Sequence, residues 1–170
     1  VARRSAQSPL WHITQAFVRL LAPITAFTAE EVWQVLTGKE DESVMFQLWH
    51  ELPKPEGEGE LLAKWALIRT ARADVTKALE EQREAGKIGS ALQAAVEIRC
   101  AGEKYEALAS LGDDLKFVLI CSSTVAFRDD NEAVIATPLD HAKCERCWHV
   151  REDVGADAAH PGLCGRCVSN

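Results

Sequence analysis

Lys143-Cys144-Glu145-Arg146-Cys147-Trp148-His149 and Leu163-Cys164-Gly165-Arg166-Cys167 decide how the C-terminal part of this chain folds. Each string holds one Cys-x2-Cys pair, and sixteen residues, Trp148 to Leu163, separate the two. A pair at that spacing forms a tight knuckle whose two thiolates point at one ion, and two knuckles supply the four tetrahedral ligands of a structural zinc. Cys144, Cys147, Cys164 and Cys167 are therefore read as ligands of one Zn2+, in preference to iron. Four thiolates complete the coordination shell and leave no open position at which water is activated or a substrate polarised, so the ion is structural and not catalytic. His141, His149 and His160 lie close enough in sequence to stand in for a cysteine, but four cysteines at the right spacing already fill the set.

The neighbours of the cysteines carry what chemistry remains. Zinc with four thiolates bears a net charge of about −2, which Lys143, Arg146 and Arg166 are placed to offset. Arg146 and Arg166 occupy equivalent positions, each immediately before the second cysteine of its knuckle. Trp148, directly after Cys147, has two readings from residue type alone: it covers the metal site, or it offers a stacking surface beside a cation, as base recognition requires.

Working outward, the segment from Leu139 has almost no aliphatic core of its own. Leu139, Val150, Val154, Leu163 and Val168 are too few to hold it folded without the metal. Before it, residues 93–138 change period. Ala95 to Cys100 alternates, Phe117 to Cys121 is a continuous apolar run, and Thr124 to Phe127 and Ala133 to Thr137 are β-prone. Glu103 to Leu111 reads as a short helix closed by Gly112, which makes a small α+β module of three or four strands. Cys100 and Cys121 end apolar stretches and are read as inert core thiols.

Residues 1–92 read as helical. Leu10, Ile13, Phe17, Leu20 and Leu21 share one helix face at spacings of three and four, and Pro23 stops or kinks that helix. Thr28-Ala29-Glu30-Glu31 has the form of a capping box, so a second helix is expected from about residue 29, carrying Val32, Trp33 and Leu36 as far as Gly38. Val44 to Trp49 is short and apolar, and residues 53–59 read as a loop. Leu61, Trp65, Ile68, Val75 and Leu79 mark a long amphipathic helix with Gly86 as its C-cap. Its stripe of Arg69, Arg72, Lys77 and Arg83 reads first as a solvated face laced with Glu80, Glu81 and Glu84.

The whole is a mainly α chain with a smaller α+β module. Three parts are expected: a helical region over 1–92, the module over 93–138 and a zinc-binding tail over 139–170. A length of 170 residues at 47% hydrophobic supports a real core, and no apolar run reaches the ~18 residues of a membrane span. A formal charge of −7 is unusual for a protein that grips nucleic acid through a general basic surface, so any such contact is expected to be local. Paired cysteines at metal spacing point to a reducing, cytoplasmic setting. Because the chain opens on Val1 and Trp11 to Leu21 already reads as mid-helix, an upstream part is expected.

Several strings resemble class I aminoacyl-tRNA synthetases of the isoleucyl, valyl and leucyl group, in their anticodon-binding domain. The most specific is Leu21-Ala22-Pro23-Ile24-Thr25-Ala26-Phe27-Thr28-Ala29-Glu30-Glu31-Val32-Trp33. The stretch from Leu79 to Leu92, with Ala95-Val96, is similar to a second. The two cysteine pairs with their flanks resemble the zinc-binding tail of the bacterial isoleucyl branch, whereas the valyl branch ends in a coiled-coil arm and no heptad is sustained here.

The resemblance implies a part of an enzyme that activates isoleucine with ATP, transfers it to tRNA(Ile) and edits misactivated valine. Neither a His-Ile-Gly-His type nor a Lys-Met-Ser-Lys-Ser type motif is present, so no catalytic residue is expected in these 170 residues. ATP and isoleucine would bind upstream catalytic and editing domains of the same chain. Arg146 and Trp148 become the candidates for anticodon contact, with Arg69, Arg72 and Lys87 as weaker candidates for the stem backbone. A monomer is implied, with tRNA as partner and no membrane. Two alternatives stay open: the finger of a DNA-repair glycosylase, which the tail also resembles, and a protein-interaction zinc ribbon.

Overall fold

Helix-favouring punctuation accounts for the first elements of the computed structural model, which describes residues 2–169. Helix α1 runs Ala2–Leu21 and α2 runs Ala26–Thr37. Between them the chain turns at Pro23, with the Thr25 amide donating to the Leu21 carbonyl at 2.8 Å. Gly38 ends α2 in the left-handed conformation, φ 70°, as expected for the glycine after a helix. The start of α2 differs from the expected capping box. Thr28 lies inside the helix, Thr25 is the N-cap, and the Ala29 amide is satisfied by the Thr25 carbonyl at 2.8 Å. Glu30 instead accepts from the Ser43 hydroxyl at 2.8 Å and the Val44 amide at 3.1 Å, fixing the short 3-10 turn Val44–Phe46.

The chain divides into two compact units, one up to Glu56 and one from Gly57. The first has a small core of Val18, Ala22, Ala29, Trp33 and Val44, with the Arg19 guanidinium 4.6 Å from the Trp33 ring. Leu10, Ile13, Phe17 and Leu20, the apolar face read from the sequence, are exposed. A tie between histidines, His12 Nδ1 to His50 Nε2 at 3.0 Å, holds the segment around residue 50 to α1.

The second unit starts with α3, Glu58–Glu84. Ile68, Ala71, Val75 and Leu79 recur every three or four residues and are all buried. The helix ends where it was expected to: Gly86 has φ 69° and the Lys87 amide returns to the Gln82 carbonyl at 3.0 Å. Strands follow as β1, Ala94–Cys100, β2, Ser123–Arg128, and β3, Ala133–Pro138. The sheet order is β2-β1-β3, with β1 parallel to β2 and antiparallel to β3. A parallel pair needs a crossover, here α4, Gly102–Ala109, and α5, Leu115–Leu119.

The run Phe117 to Cys121, strongly apolar and short, is therefore not a strand. It is the end of α5 and a left-handed turn at Ile120, φ 58°. A short apolar run has no period by which strand and helix are told apart. Every second residue of β1, namely Ala94, Val96, Ile98 and Cys100, is buried in one core with α3, α4 and α5. The compact units thus divide the chain near residue 56, whereas the change of period falls near residue 92: the stripe of α3 finds its burial on the sheet. Cys100 and Cys121 are both fully buried, and burial raises both thiols, which fits inert core residues. Among the described residues no helix is long and apolar enough to cross a membrane.

Candidate metal centre

The tail has little regular structure, and backbone hydrogen bonds shape each knuckle. In the first, Lys143 and Val150 pair as an antiparallel bridge, and the Cys144 amide donates to the His149 carbonyl at 2.9 Å. Inside that loop the Trp148 amide returns to the Cys144 carbonyl at 2.9 Å, and Trp148 takes φ 65°, a left-handed conformation uncommon for a bulky residue. In the second knuckle Cys164 is extended and leads into the one-turn helix α6, Gly165–Val168, which carries Cys167. A bond from the Glu145 amide to the Gly162 carbonyl, 3.0 Å, joins the knuckles.

These turns bring the four sulfurs of Cys144, Cys147, Cys164 and Cys167 within 4.8 Å of one another. Sulfurs held at ~2.3 Å around a tetrahedral zinc lie about 3.8 Å apart. The Cys147 and Cys164 sulfurs are 3.7 Å apart. Cys144 and Cys164 have no exposed surface. The donor set, its spacing and its burial fit one structural zinc.

Electrostatics of the sulfurs support this. Burial opposes ionisation of Cys144, but the backbone N–H groups of Cys147, Cys164 and Arg146 outweigh it and bring the thiol down to about 6. Cys167 goes the other way: burial, then the crowding sulfurs of Cys147, Cys164 and Cys144, push it up to about 12. Each thiolate raises the cost of the next, and a divalent cation held by Cys144, Cys147, Cys164 and Cys167 would let all four ionise together.

Arg146 and Arg166, equivalent in sequence, are not equivalent in space. The Arg146 Nη1 donates to the Cys167 carbonyl at 2.9 Å, bracing one knuckle on the other. The Arg166 guanidinium lies 4.7 Å from the ring of Phe117, on α5. Lys143 sits over the Trp148 ring at 5.3 Å. Trp148 does not bury its ring over the cysteines: it is 60% exposed. Two of the three histidines near the cysteines have other partners. His149 Nδ1 faces the Cys147 carbonyl at 3.1 Å, and His141 Nε2 lies 3.4 Å from Glu152. Arg69 and Arg72 are exposed on α3 and Lys87 in the turn that follows it, while Arg83 of the same stripe pairs with Glu80 at 2.9 Å.

Two contributors were missed in the sequence. Arg151 donates to both carboxylate oxygens of Asp153, at 2.7 and 3.1 Å, and Asp153 in turn accepts from the Gly165 amide at 3.0 Å. A side chain at Gly165 would place its Cβ 3.0 Å from that carboxylate, so glycine gives the tightest approach there. The Arg-x-Asp spacing was visible between the cysteine pairs, but not its reach to the second knuckle.

Residues 2–98 match the family described as anticodon-binding domain of tRNA ligase, and residues 143–170 match the zinc finger found in FPG and IleRS. Relatives include the isoleucine–tRNA ligase of Dechloromonas aromatica, 88% identical over all of this chain and 18% of its own length. The isoleucine–tRNA ligase of Aromatoleum aromaticum is 55% identical over 99% of the chain, and isoleucine–tRNA ligase 1 of Burkholderia mallei 54% over 99%. The chain spans 18% of the length of these curated relatives.

Proposed function

The chain belongs to the anticodon-binding domain family of tRNA ligases, and from that membership we propose that it is the tRNA-reading region of an isoleucine–tRNA ligase. The observation that carries this reading is the pairing of two matches in one chain, the anticodon-binding domain over 2–98 and the zinc finger over 143–170. The finger alone is described for two kinds of protein, FPG and IleRS; the helical match ahead of it supports the ligase and speaks against the DNA-repair finger. Near-complete alignment of the chain with isoleucine–tRNA ligases supports the same choice. In this reading the whole enzyme joins isoleucine to tRNA(Ile) at the expense of ATP and edits misactivated valine in upstream domains of a monomeric cytoplasmic protein. These residues supply recognition, not chemistry.

Trp148 and Arg146 are the proposed contacts in the zinc tail. The knuckle holds the indole out at φ 65° and 60% exposed, with the Lys143 cation beside it. An unstacked loop base on such a surface gains ~1–3 kcal/mol. Arg146 spends Nη1 on the Cys167 carbonyl, so its role joins knuckle bracing to contact with a phosphate or base edge. Arg69, Arg72 and Lys87 serve the stem backbone as exposed cations, which suits an acidic protein that reads an unpaired loop through a few placed groups. Trp148→Ala in the full-length ligase should weaken tRNA aminoacylation by about 5–150-fold, the equivalent of losing one stack, and leave isoleucine-dependent ATP–pyrophosphate exchange unchanged. Equal losses in both assays would sink the assignment.

A further inference from the structure

We infer that Ser122 is a positioning residue that aims the first knuckle, and Trp148 with it, by clamping it to the turn at residues 91–93; the inference rests on the tRNA-reading role proposed above for that indole. Ser122 stands between α5 and β2 and is 6% exposed, one of the few buried polar side chains among the described residues. Its hydroxyl donates to the Leu92 carbonyl at 2.5 Å and accepts from the Val150 amide at 2.8 Å. A hydroxyl can do both at once. Without it a backbone carbonyl and a backbone N–H lose their partner together, and a buried polar group left unpaired is costly.

The position of the clamp is what gives it consequence. Val150 is the residue that closes the first knuckle by pairing with Lys143, so the arc 144–149, with two ligand cysteines and Trp148, hangs from that pair. Leu92 lies in the 3-10 turn Ala91–Gln93, whose Gln93 side chain accepts from the amides of Gly89 and Ser90. The same turn holds the entry to the tail, with the Leu139 amide donating to the Gln93 carbonyl at 2.8 Å. The tail is thereby pinned at two points to one rigid turn. Phe117 adds a third point: its ring meets that of His149 edge-on, centroids 5.6 Å apart at 74°, and also lies under the Arg166 guanidinium of the second knuckle. None of these contacts uses a ligand sulfur. Metal binding and aiming are therefore carried by different residues and should separate by mutation.

The test compares Ser122→Ala, Ser122→Thr and Trp148→Ala in the full-length ligase, alone and combined. Ser122→Ala should keep one zinc per chain and normal ATP–pyrophosphate exchange, speed hydrogen exchange at the Val150 amide, and raise the KM for tRNA about tenfold with kcat nearly unchanged, as expected for one buried hydrogen-bonded hydroxyl. Ser122→Thr, which retains the hydroxyl, should restore both Val150 protection and KM. Adding Ser122→Ala to Trp148→Ala should cost less than the two single losses combined, because the serine acts in large part through the indole and otherwise only through Arg146 on the same arc. Unchanged Val150 protection, or loss of zinc together with activity in both assays, overturns the positioning role. So does a normal KM in Ser122→Ala when Trp148→Ala raises it. If Trp148→Ala leaves KM unchanged, the reading of Trp148 is what fails, and Val150 exchange still decides whether Ser122 is the clamp.

Discussion

The sheet module and the cysteine-rich tail share one compact unit and are held together by opposite means. The module buries Ile68, Val75, Val96, Ile98, Leu108 and Leu119 in one continuous apolar core. The tail gathers a cluster around the buried Cys144, Cys164 and Cys167, with the partly buried Cys147, Val154 and Leu163 packed against them. The difference teaches that proximity is not shared stability: two segments in contact can draw on a hydrophobic core and on a metal separately.

Removing the ion is the largest perturbation available, because a structural zinc is worth ~10–16 kcal/mol of apparent binding energy to a small domain. Chelation should expose the amides from about residue 139 onward to exchange while α3 and β1 keep their protection. Protection that survives in the tail would break the comparison. A cut into the other side comes next. Ile98 is 1% exposed at the centre of the sheet, and Ile98→Ala should destabilise the module by ~2–5 kcal/mol in urea unfolding, with zinc content unchanged. Parallel loss of zinc would show that the two regions stand or fall together.

The first unit sharpens the contrast with a small effect, since it has neither a large core nor a metal cluster among its described residues. Its His12–His50 tie needs one neutral ring nitrogen as acceptor. His50 is held below the ordinary histidine value of 6.5, by desolvation first and then by the nearby charges of Arg19 and His12. A depressed folded value means that the tie contributes fully above pH 6.5 and is lost as the pH falls through the lower folded value. Protection of the amides near residue 50, taken relative to the intrinsic exchange rate at each pH, should therefore fall on acidification, and His50→Ala should abolish that loss while leaving α3 untouched.

Much of this was legible in residue order. The cysteine pairs carry their metal because a knuckle is a local turn, formed by residues three apart. Gly38 and Gly86 end helices for an equally local reason, the positive φ each adopts. What escaped depended on distance or on ambiguity of period. Phe117 to Cys121 reads as a strand or a helix with equal ease, and only its place in the crossover between parallel strands decides for helix. Thr28 has the composition of a cap, but the Pro23 turn starts the helix earlier.

Residue order by itself supplied the two cysteine pairs at metal-binding spacing, a mainly helical chain with a small α+β part, and a resemblance specific enough to name the family, since each is written in patterns of near neighbours in the chain. Only the tertiary structure decided that α3 belongs with the sheet and that Arg146 braces a knuckle while Arg166 lies on Phe117. It also decided that Trp148 faces outward and that Ser122 reaches Leu92 and Val150 at once. The physical reason is the same in each case: burial and hydrogen-bond partnership across tens of residues depend on which surfaces meet, and no local pattern encodes that.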